Sequence, residues 1–292
     1  MTSLSASCLL LAPLLGAIAY LGFNAPEGGR AVTEPSARAL PTRPWRLVWA
    51  DEFNTAGAPN AKNWAFENGF VRNHELQWYQ PQNAACTHGS LLIEARRTSR
   101  PNPVYQPGSA GWQTSRDSIR YTSASLQTKG KRQWQYGRFE MRAKLDVQPG
   151  RWPAFWTLGT AGEWPSSGEI DIMEYYRGAV LANFAWGTAQ RYTPHWQSVK
   201  TPLAAFHDPA WAQKFHVWRM DWEPDSIKLL LDGRVLNAVA VAKTVNPDGT
   251  NPFRQPHYLL LNLALGGDNG GDPRGTTFPA RFEIDYVRVY QH

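Results

Sequence analysis

The sequence contains three acidic residues within six positions, Glu169, Asp171 and Glu174. The apolar residues between them are typical of a β-strand, in which successive side chains point to opposite faces. Regular alternation would separate Glu174 from the other two acids and place at least one unpaired carboxylate in the core, at a high cost. A single-residue β-bulge around Ile172 and Met173 returns Glu174 to the face of Glu169 and Asp171. We therefore predict a bulged strand that carries three carboxyls in one row.

Carboxyls that lie so close together cannot all ionise freely, so their pKa values should split. Double-displacement glycoside hydrolysis requires this state: an ionised nucleophile and a protonated acid, about 5–5.5 Å apart. On the acids alone, two other interpretations stay open. They could be solvated on an edge strand, or they could bind a hard cation.

The rest of the chain reads as short strands separated by turns. A helical period is missing, except for one short helix predicted within 202–214. Asp232-Gly233 is a strong hairpin signal between two of the strands. This pattern favours an all-β sandwich or jelly roll. The clearest strand signals cover residues 90–96, 137–144, 168–175, 216–222, 226–231, 258–263 and 282–290.

The N-terminus predicts export. An apolar stretch runs from Cys8 to Phe23 and contains a small-x-small site at 17–19, although residues 1–7 carry no Lys or Arg. We interpret 1–25 as a signal peptide, with an uncleaved anchor as the alternative, 26–42 as a linker and 43–292 as the folded body. The mature protein would then be secreted or periplasmic, would not bind a membrane and would retain Cys86 unpaired.

The composition limits the classes of partner that the protein is expected to bind. The net charge of +6 is spread without a Lys/Arg stripe, so no nucleic-acid partner is expected. The 14 Trp exceed what a core needs, and aromatic side chains exposed in a groove commonly pack against sugar faces. Trp49, Trp218 and Trp222 lie in strand patterns and are expected in the core. Trp134 and Trp196 fit either environment.

Several motifs together resemble glycoside hydrolase family 16, the family of laminarinases, mixed-linkage β-glucanases, agarases and carrageenases. They lie at 49–53, 151–159, 164–165, 169–174 and 285–290. The acid motif with its extra residue is similar to the bulged form of laminarinase-like members. The resemblance implies a jelly roll of two antiparallel sheets with a concave substrate cleft.

The resemblance also implies roles for the acids. Glu169 corresponds to the nucleophile and Glu174 to the general acid/base. Asp171 corresponds to the residue that hydrogen-bonds the nucleophile and tunes its charge.

The implied substrate-binding residues are aromatic or amide side chains. Trp152 and Trp156 correspond to residues that line the cleft, and Trp164 to a platform beside the scissile bond. Asn73 begins a segment similar to Asn-Asn-Glu-x-Gln and is a candidate hydrogen-bonding residue, whereas His74 departs from the second Asn of that pattern.

Two further expectations come from the same comparison. Trp186 lies where laminarinase-like members carry a Gly-x-x-His segment, so we expect it to reshape one side of the cleft and to weaken the assignment of β-1,3-glucan. Family members often bind one structural Ca²⁺, for which Asp285 is the matching candidate; an ordinary exposed strand acid is the alternative. No cofactor is expected for catalysis.

The expected function is retaining endo-hydrolysis of a β-1,3- or mixed-linkage glucan by a monomer whose partner is the polysaccharide. An agarase-like hydrolase of galactans is the alternative enzyme. A non-catalytic carbohydrate-binding jelly roll is the alternative from another class, because jelly rolls serve both purposes.

Overall fold

The strands of this protein form because apolar residues alternate with polar ones. In a computed structural model, which describes residues 44–292, the segment Gly137–Leu145 alternates strictly between buried and half-buried side chains. The predicted signal peptide and linker lie outside the described residues. Within the described part, no helix is long and apolar enough to cross a membrane.

Residues 44–292 contain seventeen strands: β1 Arg46–Asp51, β2 Ala65–Phe66, β3 Gln77–Tyr79, β4 Ala84–Thr87, β5 Ser90–Pro101, β6 Ser118–Ser123, β7 Ser125–Gln127, β8 Gly137–Leu145, β9 Arg151–Gly159, β10 Glu169–Tyr176, β11 Ala179–Gly187, β12 Pro194–Pro202, β13 His216–Trp222, β14 Ser226–Leu231, β15 Arg234–Ala240, β16 His257–Leu265 and β17 Ala280–Gln291. One short α-helix, α1, spans Gly267–Gly270. Five 3₁₀ turns cover Pro81–Asn83, Leu203–Phe206, Trp211–Gln213, Val241–Lys243 and Pro252–Arg254. The short helix predicted within 202–214 is thus two 3₁₀ turns.

The strands form two sheets. The first has the order β15-β14-β13-β8-β17-β5-β6-β3, with β1 also paired to β17 and β4 to β5. The second has the order β12-β11-β10-β9-β16-β7-β2. Pairing is antiparallel except between β3 and β6. The predicted all-β sandwich is confirmed, and so is the hairpin at Asp232-Gly233, which joins β14 to β15.

The core lies between the two sheets. Phe155, Leu261 and Ile284 are fully buried there, and each such side chain stabilises the fold by about 1.5–3 kcal/mol. Trp218 and Trp222 are buried in this core as predicted, while Trp49 packs against it half-buried.

The second sheet is apolar on its other face as well. Strand β16 is buried along its whole length because its alternate side chains enter two different clusters. One cluster is the core, and the other contains Ala154, Trp156, Tyr258 and Leu260. This second cluster forms part of the floor on which the acidic residues lie.

Gly168 fixes the start of the acid-bearing strand. Its φ of +82° is a conformation that side chains disfavour, and an added Cβ would lie 2.7 Å from Cβ of Pro252. Gly233 has the same φ of +82°, but an added Cβ there would contact nothing within 4 Å. Alanine at Gly233 therefore adds backbone strain alone, whereas alanine at Gly168 adds backbone strain and a steric clash.

We predict that Gly233→Ala lowers the free energy of unfolding by about 1–2 kcal/mol, the cost of left-handed backbone. Gly168→Ala should cost roughly 1–3 kcal/mol more, because Pro252 and Phe253 must move. Urea unfolding of both variants measures the difference. Equal losses would show that the contact with Pro252 adjusts freely.

Candidate active site

A β-bulge brings the three acids into one row. Opposite β9, Asp171 pairs with Trp156 and Met173 with Phe155, so Ile172 is the extra residue. The register against β11 shifts at the same place. The predicted bulge around Ile172 and Met173 is confirmed.

The carboxyl groups are held by side-chain N–H donors. Trp164 Nε1 donates to Glu169 Oε2 at 2.6 Å, and Trp152 Nε1 donates to Glu174 Oε1 at 2.8 Å. Asn183 Nδ2 donates to Asp171 Oδ2 at 3.0 Å and to Glu174 Oε2 at 2.8 Å. One amide nitrogen therefore contacts two of the three acids.

Burial dominates the electrostatics of this row. Desolvation raises the pKa of Glu174 to about 7, and the neighbouring charge of Glu169 acts in the same direction. Desolvation also raises the pKa of Asp171 well above its ordinary value, with the charges of Glu174 and Glu169 adding to it. The pKa of Glu169 is raised by desolvation, while hydrogen bonds from Trp164 and Asp171 and the charge of Arg72 lower it. The arrangement therefore favours protons on Asp171 and Glu174 and an ionised Glu169.

The acids line a cavity of about 710 Å³ on the outer face of the second sheet. Trp152, Trp156 and Trp164 also line it, so the structure brings all three predicted tryptophans to the acids. Trp156 pairs with Asp171 across β9 and β10, and its Nε1 donates to Asn262 Oδ1 at 2.7 Å.

A polar wall on the β9 and β16 side adds Arg72 and Glu75 to the predicted site residues. The guanidinium of Arg72 lies 5.1 Å from the centroid of the Trp156 ring and forms an ion pair with Glu67. Glu75 also lines the cavity; it is 2% exposed and accepts a hydrogen bond from Gln77 Nε2 at 2.6 Å. Burial raises the pKa of Glu75. The resemblance at 73–77 indicated a segment beside the cleft, but it gave no role to Glu75 and did not include Arg72.

The opposite wall contains Asn183, Ser198 and Trp196. These residues were also missed as site residues. Asn183 could have been found from the pattern, because it lies on the strand after the acids and pairs directly with Asp171.

Trp186 does not line the cavity, so the prediction for it is wrong. Asn183 and Ala185 pair with Asp171 and Glu169, and alternation therefore directs Trp186 to the other face of β11. There it packs against the core, and its ring stacks on His195 with centroids 5.6 Å apart.

The segment that begins at Asn73 borders the cavity as predicted. Asn73 lines it, with Nδ2 3.5 Å from Glu75 Oε1. His74 points away into solvent, where its Nδ1 lies 3.0 Å from Asp268 Oδ1. The presence of His74 in place of the second Asn of the pattern therefore does not remove Asn73 from the cavity.

The surroundings of Asp285 do not fit a bound cation. Its Oδ2 accepts a hydrogen bond from Arg142 Nη1 at 2.6 Å, so a guanidinium already neutralises the carboxylate. Within residues 44–292, no three His, Cys, Asp or Glu side chains cluster as metal ligands. The structural Ca²⁺ stays a prediction, without support from this residue.

Comparison with known proteins gives one matching family model and several relatives. The family model for Glycosyl hydrolases family 16 matches residues 72–288. A β-glucanase of Rhodothermus marinus is 35% identical, with 85% of each chain covered. Glucan endo-1,3-β-glucosidase A1 of Niallia circulans is 34% identical over 92% of this chain, which spans only 42% of that longer protein. The solved catalytic domain of a Thermotoga petrophila laminarinase superposes with a TM-score of 0.70 at 31% identity, covering 85% of this chain and 98% of that one.

The raised pKa of Glu174 predicts that this residue destabilises the fold at alkaline pH. The unfolded chain releases this proton near pH 4.5 and the folded chain near pH 7, so the free energy of unfolding falls between those values and stays lower above them. We expect Glu174→Gln to stabilise the protein at pH 8, by on the order of 2–3 kcal/mol relative to its effect at pH 4.

Chemical unfolding at both pH values measures this effect. Glu52→Gln is the matched control, because the hydrogen bond from Arg288 lowers the pKa of Glu52. Loss of that carboxylate should destabilise the protein at pH 8. If Glu174→Gln changed the free energy of unfolding equally at pH 8 and pH 4, the role of burial would be contradicted.

Proposed function

The chain belongs to glycosyl hydrolase family 16, and we propose that it is a retaining endo-glycosidase that cleaves internal linkages of a β-1,3- or mixed-linkage glucan. The single observation that carries the proposal is the bulged row of Glu169, Asp171 and Glu174 on the floor of a cavity. The relatives named above as β-glucanase, endo-1,3-β-glucosidase and laminarinase support the substrate.

The roles follow from the environment of each acid. Glu169 is the nucleophile, because the indole N–H of Trp164 and a hydrogen bond from Asp171 stabilise its ionised form. Glu174 is the general acid/base, because a pKa of about 7 keeps it mostly protonated below neutral pH, where it can donate a proton. Asp171 retains its own proton and donates it in a hydrogen bond to Glu169.

The reaction proceeds in two displacements. Glu174 protonates the glycosidic oxygen while the carboxylate of Glu169 attacks the anomeric carbon and forms a glycosyl ester. The ionised Glu174 then takes a proton from water, and that water cleaves the ester with net retention. Asn183 holds Asp171 and Glu174 in place through both steps.

The shape of the site supports internal cleavage. Residues from β12, β11, β10, β9 and β16 line the cavity, so it crosses five adjacent strands. At about 4.8 Å between strands, this is roughly 19 Å, long enough for several linked sugars. A cavity that crosses the sheet in this way suits an endo-acting enzyme.

We also propose that the protein is exported from the cell and acts as a monomer. The apolar stretch between Cys8 and Phe23 supports secretion to the periplasm or the medium. A polysaccharide too large to enter a cell is a suitable substrate for such an enzyme.

We predict that Glu169→Gln and Glu174→Gln each lower kcat/KM by at least about a thousandfold on the preferred substrate. The test incubates the full chain with laminarin, lichenan, xyloglucan, agarose and galactan and measures reducing ends. NMR of the first product should show the β-anomer. Glu163→Gln, in an exposed acid outside the cavity, serves as the control.

Each result has a clear meaning for the proposal. Cleavage of laminarin or lichenan that disappears in both variants supports it. Cleavage of galactans alone would overturn the glucan substrate, and binding without any cleavage would overturn the enzyme.

The pH profile gives an independent prediction. We expect kcat/KM to fall above about pH 7 as Glu174 loses the proton it must donate. Trp152→Phe removes a hydrogen bond that stabilises ionised Glu174, so the alkaline limb should move to higher pH. An unmoved limb in this variant would assign that limb to another group.

A further inference from the structure

Trp196 is an exposed aromatic residue in the wall of the cavity. Its side chain is 48% exposed, on β12 at the edge of the second sheet. It lines the same cavity as the three acids, next to Ser198. Ligand-binding cavities are typically lined by aromatic side chains of this kind, so the position of Trp196 indicates a binding role.

Nothing within the described residues uses the ring of Trp196. No other aromatic ring of residues 44–292 pairs with it, and its indole N–H has no acceptor among them. By contrast, the indole N–H groups of Trp152, Trp156 and Trp164 all donate to side chains of the cavity. The exposed part of the Trp196 ring and its N–H group are therefore free to contact a ligand.

The sheet register fixes the distance between Trp196 and the acids. Glu169 pairs with Ala185 on β11, and Ala185 pairs with Trp196 on β12. Two strand spacings put the backbone of Trp196 about 10 Å from that of Glu169. Ala185 between them is small and buried, so it does not rise into the cavity. Trp196 thus lies beyond the sugar that reacts, but within reach of the same polysaccharide chain.

We propose that Trp196 is a stacking platform for a distal sugar of the bound polysaccharide and that it sets the chain length which the enzyme prefers. This inference rests on the proposed function, because it needs a glycan in the cavity. A β-linked glucose residue carries its hydroxyl groups around the ring edge, which leaves two apolar C–H faces. Such a face packs on the electron-rich face of an indole.

The test compares Trp196→Ala and Trp196→Phe with wild type on β-1,3-gluco-oligosaccharides from the trisaccharide to the heptasaccharide. Wild-type kcat/KM should rise with chain length until the Trp196 position is filled. Trp196→Ala should lower kcat/KM roughly tenfold on the longest substrates, mainly through KM, and leave the shortest unchanged. Trp196→Phe should retain most of the wild-type preference for long substrates. Tyr105→Ala removes an aromatic of similar exposure (42%) outside this cavity and should match wild type.

Equal losses on short and long substrates, or none, would overturn the role of Trp196. The proposed function is tested separately. If wild type cleaves no glucan, the Glu169→Gln protein is titrated with gluco- and galacto-oligosaccharides by calorimetry, with and without Trp196→Ala. A length-dependent loss of affinity would then support the platform although the glucan substrate had failed, and unchanged affinities would overturn the platform as well.

Discussion

The β-bulge at Ile172 is the constraint on which the site depends. Without it, Glu174 would point into the core, and only two of the three carboxyls on β10 would face the cavity. A bulge requires that two residues of β10 face one residue on each neighbouring strand, and both register shifts occur at this place. The extra residue can be Ile because it packs fully buried in the core. The local irregularity therefore costs little apolar burial, while it decides which face carries the third carboxyl.

Indole N–H groups make the burial of these carboxyls tolerable. A buried carboxylate without a donor is costly, yet Trp152 and Trp164 each supply one from the cavity wall. A tryptophan donates a hydrogen bond without adding a full positive charge, so the acids keep their raised pKa values. An arginine in the same place would hold Glu174 ionised and unable to donate a proton. The high tryptophan content thus has a direct electrostatic consequence as well as a role in packing.

Sequence reasoning reached the parts of the site that are local in the chain. The acids, the bulge and Trp164 lie within eleven positions, and conflict between alternation and charge was enough to predict the bulge. The resemblance placed Trp186 in the cleft. Alternation along β11 from Asn183, which faces the acids, directs Trp186 to the core side of the sheet instead. Only Asn73 was named from its segment, because the side-chain contacts of Arg72 and Glu75 depend on how that segment packs against β16. Asp285 was given a metal-binding role that its contact with Arg142 does not support.

The two walls of the cavity differ in how many of their side chains already have partners within the protein. On the β9 and β16 side, Arg72 lies over Trp156 and pairs with Glu67, while Gln77 donates a hydrogen bond to Glu75, so these contacts are formed before any ligand arrives. On the β12 side, Trp196 has no such partners and is free to accept a sugar face. A preformed wall costs no ordering when substrate binds, whereas an open aromatic gains burial only when a chain is long enough to reach it. The catalytic acids are therefore held by donors from both β9 and β11, whereas the open aromatic on β12 adds a contact that only a longer chain can reach.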